Sequence, residues 1–235
     1  MPSLRRTNEI IIHSDQRMVV KRYRTSPPSV AGQVFCGLRR RRALLAVHRW
    51  ETEKLKVEAV RSFGIALPFE YHGFYEGRLG YDSKPFVVME YLPGFLTAED
   101  RLRNGMSTEE AFQLVGRCAV TLSDFHLASN GHGKRMAHGD PYLENFDGAD
   151  AKLFDFEHDH PCDGGGALVR DQLIFFWHAV NVLKDTGHLK TRRDLERLID
   201  TVHTGYPGME TSVAQLGALQ KLYFKLRFMG KELQK

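Results

Sequence analysis

His138-Gly139-Asp140-Pro141-Tyr142-Leu143-Glu144-Asn145-Phe146, with Asp155-Phe156-Glu157 shortly after it, is the stretch around which the chain is organised. Asp140 and Asn145 stand five positions apart, which puts a carboxylate and a carboxamide on one short turn. Asp155 follows an apolar pair, Leu153-Phe154, that reads as the end of a strand. Asp147-Gly148 supplies a turn, so Phe146 and residues 152–156 are expected to pair as a hairpin. Three oxygen-bearing side chains then converge at one end of a ribbon. Magnesium is suited by such a set: hard oxygens, few of them from protein.

Composition sets the frame. A chain of 235 residues, 42% apolar and 26% charged, is a globular protein with one two-part domain or two small ones. No apolar run approaches the length of a membrane span, and residues 1–8 carry Arg5 and Arg6 without the apolar core of a secretory signal. Cys36, Cys118 and Cys162 are too few and too far apart for a disulfide framework and suggest a reducing, cytoplasmic setting. The net charge of +4 is compatible with an anionic partner without requiring one.

Residues 9–12 and 17–24 are β-rich and flank Ser14-Asp15-Gln16, as an antiparallel hairpin would. Lys21 follows Val19-Val20: it is either a solvated lysine in a basic strand beside Arg22 and Arg24 or, on the inner face of that strand, a group able to reach a nucleotide's phosphates. After Pro27-Pro28 a helical stretch is expected over 30–63, with Leu44, Val47, Trp50 and Leu55 at helical spacing. Glu51, Glu53 and Glu58 on it are all candidates to pair with Lys21, and Gly64 marks its end. The arginine run at 39–42 reads as a solvated helix face, or as a site attracting a phosphorylated or membrane-surface substrate.

Residues 69–75 and 86–91 read as two further strands, the second running into Met89-Glu90-Tyr91-Leu92-Pro93-Gly94. An apolar strand ending in Pro-Gly is either a simple strand end or a hinge whose backbone, at Glu90 and Tyr91, is able to pair with an adenine edge. Ser107-Thr108-Glu109-Glu110 is a capping box opening a helix to about Ala128, with Phe112, Val115, Ala119, Leu122, Phe125 and His126 buried. Arg170-Asp171-Gln172-Leu173 opens another apolar helix, where Asp171 either caps the helix or reaches back to the central stretch. His158, His160, Cys162 and Asp163 have metal-binding side chains but irregular spacing, and no structural metal is expected there. Residues 195–202 and 214–231 supply further amphipathic helix.

The order of Lys21, a helical glutamate, the 89–94 hinge, His138-Gly139-Asp140…Asn145 and Asp155-Phe156-Glu157 resembles the protein-kinase-like superfamily. Gly139 and Glu157 are similar to its small-molecule branches, including aminoglycoside-phosphotransferase-like proteins. Lys21-Arg22-Tyr23, Trp50…Glu53…Leu55…Gly64-Ile65-Ala66-Leu67-Pro68 and Arg170-Asp171 resemble more narrowly the bacterial lipopolysaccharide core (heptose/Kdo) kinases. The resemblance covers about residues 9 to 185.

The fold this implies is α+β and protein-kinase-like, with a small antiparallel β lobe over 1–92 and a helical lobe over 93–235. Asp140 would orient the acceptor hydroxyl, Asn145 and Asp155 would hold Mg2+, and Lys21 with Glu53 would position the phosphates of ATP. The implied activity is phosphoryl transfer from ATP to a saccharide or lipopolysaccharide-like acceptor, in the cytoplasm or at the inner membrane surface, with no nucleic-acid partner. A kinase of a soluble metabolite or antibiotic, and a pseudokinase that binds without turnover, are the other readings. Two departures stand out: no Gly-rich loop precedes Lys21, and no Ala-Pro-Glu follows Asp155-Phe156-Glu157. A lid over the phosphates would therefore be shortened, missing, or built from something else, such as Arg5-Arg6 or the insertion carrying the 39–42 run.

Overall fold

In the computed structural model, residues 8–23, 46–77, 84–133, 136–157 and 165–207 are described. Arg5-Arg6, the 39–42 arginines, Leu44, Cys36, the His158–Cys162 group and the predicted helix at 214–231 lie outside the described residues. Among the described residues the architecture is α+β: a four-stranded antiparallel sheet, with most of the other elements helical.

The strands are β1 (Glu9–His13), β2 (Met18–Arg22), β3 (Tyr71–Tyr75) and β4 (Phe86–Glu90), in the order β1-β2-β4-β3. A 3-10 turn at Ser14–Gln16 closes the first hairpin, with Arg17 in the left-handed region at φ 52°. The register sets Lys21 opposite Val87 of the central strand β4. Valines fit this half-buried, pleated position, and Val20 and Val87 are both buried.

Helix α1 (Ala46–Ser62) ends as expected at Gly64. The N–H of Ile65 closes back on the carbonyl of Val60 at 3.1 Å, and Gly64 takes φ 73°, a Schellman ending that glycine adopts without strain. The face it buries differs from the apolar spacing in the sequence. Val47 and Leu55 are exposed, whereas Arg49, Trp50, Glu53, Lys56, Val57 and Val60 are buried. The inward stripe is charged because its side chains find partners inside the fold: Arg49 meets Glu157, Glu53 meets Lys21, and Lys56 donates to the carbonyl of His138.

The helical remainder is α2 (Ala98–Arg103), α3 (Thr108–Gly131), α4 (Gly165–Asp185) and α5 (Arg192–Gly205). Helix α3 starts at the Ser107/Glu110 capping box, and Phe112, Val115, Ala119, Leu122, Phe125 and His126 are all buried. Equivalent boxes, Thr97/Asp100 and Thr191/Asp194, open α2 and α5. Helix α4 begins well before Arg170, so Asp171 lies inside it and is not its cap. Among the described residues, no helix is long and apolar enough to cross a membrane. Cys118 is buried in α3, and burial pushes its thiol well above the usual range.

The expected ribbon is present in abbreviated form. Phe146 bridges Leu153, and the N–H of Phe154 donates to the carbonyl of Asn145 at 3.1 Å. Its turn is longer than an Asp147-Gly148 pair: the Asp147 carboxylate accepts the N–H groups of Ala149 and Asp150 at 3.1 and 2.8 Å. An aspartate bonding its own backbone two and three residues on stabilises such a loop. Phe146, Leu153 and Phe156 anchor the ribbon in the core, with Phe125 and Phe175 against them.

Candidate functional site

The site begins with Lys21, which β2 carries into a buried position facing α1. Its Nζ donates to Glu53 Oε2 at 2.7 Å, so of the three candidate glutamates Glu53 is the partner. It also pairs with Asp155, and with Glu157 at 3.0 Å. Burial alone would depress this ammonium. Asp155, Glu157 and Glu53 outweigh it and hold the pKa well above the ordinary lysine value. Lys21 is therefore charged at any physiological pH.

Glu53 is fully buried and accepts from more than the lysine. The hydroxyl of Tyr23 donates to Oε2 at 2.5 Å and that of Tyr71 to Oε1 at 3.2 Å. Burial first, then the charge of Glu53, pushes both phenols well above their ordinary pKa, so both remain O–H donors. A carboxylate supplied with three donors is tolerated in the interior.

The loop holding Asp140 and Asn145 has its backbone satisfied largely by side chains. Asp171, from the middle of α4, accepts the N–H of His138 at 2.5 Å and that of Gly139 at 3.0 Å. Of its two expected roles it takes the second, reaching back to the central stretch. His126 Nε2 lies 3.1 Å from the same carboxylate, and its Nδ1 lies 2.7 Å from the Tyr206 hydroxyl, so this is a satisfied core histidine. Lys56 of α1 donates to the carbonyl of His138 at 2.9 Å. The N–H of Leu143 donates to His178 Nδ1 at 3.0 Å, while His178 Nε2 faces Glu99. Burial lowers the pKa of His178, with Glu99 opposing, and the accepting Nδ1 requires a neutral ring.

Asn145 donates its side-chain N–H to the carbonyl of Asp140 at 2.7 Å. That bond occupies the donor side of the amide and orients its acceptor oxygen, the atom a cation would take. Asp140 is half-buried, and the N–H of Tyr142 closes a tight turn on its carbonyl at 2.8 Å. Asp155 occupies the left-handed region at φ 62°, a conformation uncommon for residues other than glycine and tolerated best by Asn and Asp. Such outliers cluster at sites where side-chain direction matters.

Oxygen donors fit a hard cation, and Glu53, Asp155 and Glu157 bring carboxylate oxygens within 4.8 Å of one another. Lys21 already sits against all three. The cluster is thus a shared counter-ion set rather than a ready-made metal cage.

Strand β4 ends at Glu90, with Tyr91 immediately after it, where the sequence offers a hinge. Their N–H groups are in use, however: Glu90 donates to the carbonyl of Glu70, and Tyr91 to that of Arg17, each at 2.8 Å. Phe69, Phe95 and Phe154 cluster close by, with ring centroids 5.4 to 5.9 Å apart.

Three participants were not singled out in the sequence. Arg49 pairs with Glu157, which the sequence offers only as part of the kinase-like resemblance, and Lys56 reaches the central loop. The available signal was the spacing of Arg49, Glu53, Lys56 and Val60, one stripe along a helix. Asn8, just ahead of β1, also donates to Glu157, so the chain enters the sheet directly beside the cluster.

No protein-family model matches this sequence, and no curated protein matches it either. Two solved structures are similar in shape. One is described as WaaP in complex with acyl carrier protein: 17% identity, 98% of this chain and 82% of that one covered, TM-score 0.48. The other is a glucosamine kinase: 12% identity, 92% and 67% covered, TM-score 0.49. Both scores lie just below 0.5, so the reading of the site rests on its own geometry.

Proposed function

We propose that the protein is a Mg-ATP-dependent phosphotransferase acting on a hydroxyl of a saccharide or lipopolysaccharide-like acceptor. The chain would form a β lobe over 1–92 and a helical lobe over 93–235, with the nucleotide between them. One observation carries the reading: Lys21, held by Glu53, meets Asp155 at the end of the ribbon that also carries Asn145. Lys21 and Asp155 meet across 134 positions of chain, which supports the reading.

In this reading Lys21 positions the phosphates and Glu53 keeps its side chain extended. Asn145 and Asp155 would hold magnesium, which when bound neutralises phosphate charge. Asp140 orients the acceptor hydroxyl and receives its proton. Phosphoryl transfer asks mainly for positioning and charge stabilisation, and the rigidly bonded loop supplies the first.

A second reading, a pseudokinase that binds partners without turnover, is favoured by the Glu90 and Tyr91 N–H groups, which already donate within the protein and so do not offer themselves to an adenine edge. A panel decides between them. Release of ADP from ATP is measured with magnesium and with amino sugars, heptose- or Kdo-containing core saccharides and aminoglycosides as acceptors. Acceptor-dependent ADP release is expected. A magnesium-dependent rise in melting temperature with ATP, but no turnover on any acceptor, would establish the binding module. Absence of both would reject the nucleotide site.

A further inference from the structure

Three carboxylates surround Lys21, and they are not equivalent. The side chain of Asp155 is 30% exposed, whereas those of Glu53 and Glu157 are 1% and 4% exposed. Glu157 also faces Arg49, itself buried on α1, and receives a hydrogen bond from Asn8 at the entry to β1. One carboxylate thus ties together the start of the sheet, the lysine of β2 and the first turn of α1. Glu53 lies one helical turn beyond Arg49, so whatever fixes Arg49 also fixes the partner of Lys21.

We infer that Glu157 is a positioning residue and not a metal ligand: with Arg49 it clamps α1 against the Asp155-Phe156-Glu157 stretch, leaving Asp155 as the cluster's carboxylate for a cation. This rests on the proposed nucleotide site. A metal brings its hydration shell and needs an approach from solvent, which Asp155 has and Glu157 lacks. Taking Glu157 as a ligand would also strip Arg49 of a buried counter-ion, and an arginine cannot shed its charge. Asp155 has a different exchange available. When a cation arrives there, Lys21 keeps Glu53 and Glu157, and it can turn toward a phosphate without losing its charge balance.

The test uses the full chain with Mn2+ as the probe, its binding read by electron paramagnetic resonance in the presence of ADP. Asp155→Asn is expected to weaken Mn2+ at least tenfold, and Glu157→Gln less than about threefold. Glu157→Gln and Arg49→Lys should instead lower the melting temperature, and the double variant should lose less than the sum of the two single losses. Glu157→Gln keeps the shape and one accepting oxygen, and its melting transition shows whether the variant is folded before Mn2+ is added. Loss of Mn2+ in Glu157→Gln equal to that in Asp155→Asn would overturn the assignment, as would strictly additive melting losses. If the wild type itself fails to bind Mn2+ with ADP, the nucleotide reading falls and the cation assignment falls with it. The clamp then stands or falls on the Arg49–Glu157 coupling alone.

Discussion

The imidazole of His138 joins the two halves of the site: its Nε2 lies 2.9 Å from the carbonyl of Phe154, the residue immediately before Asp155. A carbonyl only accepts, so Nε2 carries the proton. The other nitrogen, Nδ1, is then free to accept the N–H of Asp140 at 3.4 Å. A single neutral ring thereby sets the backbone of Asp140 relative to that of Asp155.

This ring makes stability pH-dependent. Burial lowers the His138 pKa from 6.5 to about 4, with Asp171 opposing. Between those values the unfolded chain takes up a proton that the folded chain refuses. The contribution is whole above pH 6.5 and is lost as pH falls toward 4, a change on the order of 3 kcal/mol. His178, also lowered, acts in the same direction. Melting temperature from pH 7.5 to 4 is expected to fall more steeply in the wild type than in His138→Gln. Parallel curves would mean that the ring is not the source.

The central stretch was legible because its elements are contiguous, and a carboxylate, an amide and a second carboxylate around one turn leave little freedom. The Ser107/Glu110 cap and the Gly64 stop were legible for the same local reason. Helix α1 was found but its inward face was not, because apolar spacing locates a buried stripe only where that stripe is apolar. Here Arg49, Glu53 and Lys56 point inward, and their partners lie 108, 32 and 82 positions away. The two N–H groups at Glu90 and Tyr91 escaped similarly, since nothing local shows that Glu70 and Arg17 will supply their acceptors.

Asp171 supports the loop from a position with no exposure, so its removal leaves donors that water cannot reach. Asp171→Ala would orphan the N–H groups of His138 and Gly139 and the proton on His126. At roughly 1–3 kcal/mol for each orphaned buried group, the total is several kcal/mol. Urea denaturation should show a lower midpoint with an unchanged slope. Asp171→Asn, which keeps one acceptor oxygen, should lose less.

Gly148 is required by a close approach rather than by its backbone angle. A Cβ there would stand 2.8 Å from the carbonyl oxygens of both Leu96 and Thr97, and against Arg101 Cγ. The arginine can swing away, but the carbonyls belong to a backbone already bonded to the ribbon: Leu96 accepts the N–H of Gly148 at 2.9 Å. Gly148→Ala is expected to cost about 1–3 kcal/mol, as overpacking does. A melting temperature within a degree of wild type would show that the ribbon and the start of α2 can separate freely.

If the proposed reading holds, Asp140 belongs to the acceptor side of the site and Lys21, Glu53 and Asp155 to the nucleotide side. Asp140 is fixed through its backbone: its N–H meets His138, and its carbonyl accepts from Asn145 and Tyr142. Asp140→Asn leaves those bonds in place and changes only the half-buried side chain, so folding should be nearly unaffected. Lys21, Glu53 and Asp155 are untouched, so magnesium-dependent binding of ATP should stay within a few-fold of wild type. Turnover with an active acceptor should fall by about 10²–10⁴, the range a general base contributes. Asp155→Asn should behave differently, losing metal-dependent binding along with turnover. Isothermal titration with a non-hydrolysable ATP analogue, run beside steady-state rates, distinguishes the two patterns. An Asp140→Asn variant retaining more than half the wild-type rate would remove Asp140 from the base role. One that lost nucleotide binding as severely as Asp155→Asn would place it on the phosphate side instead.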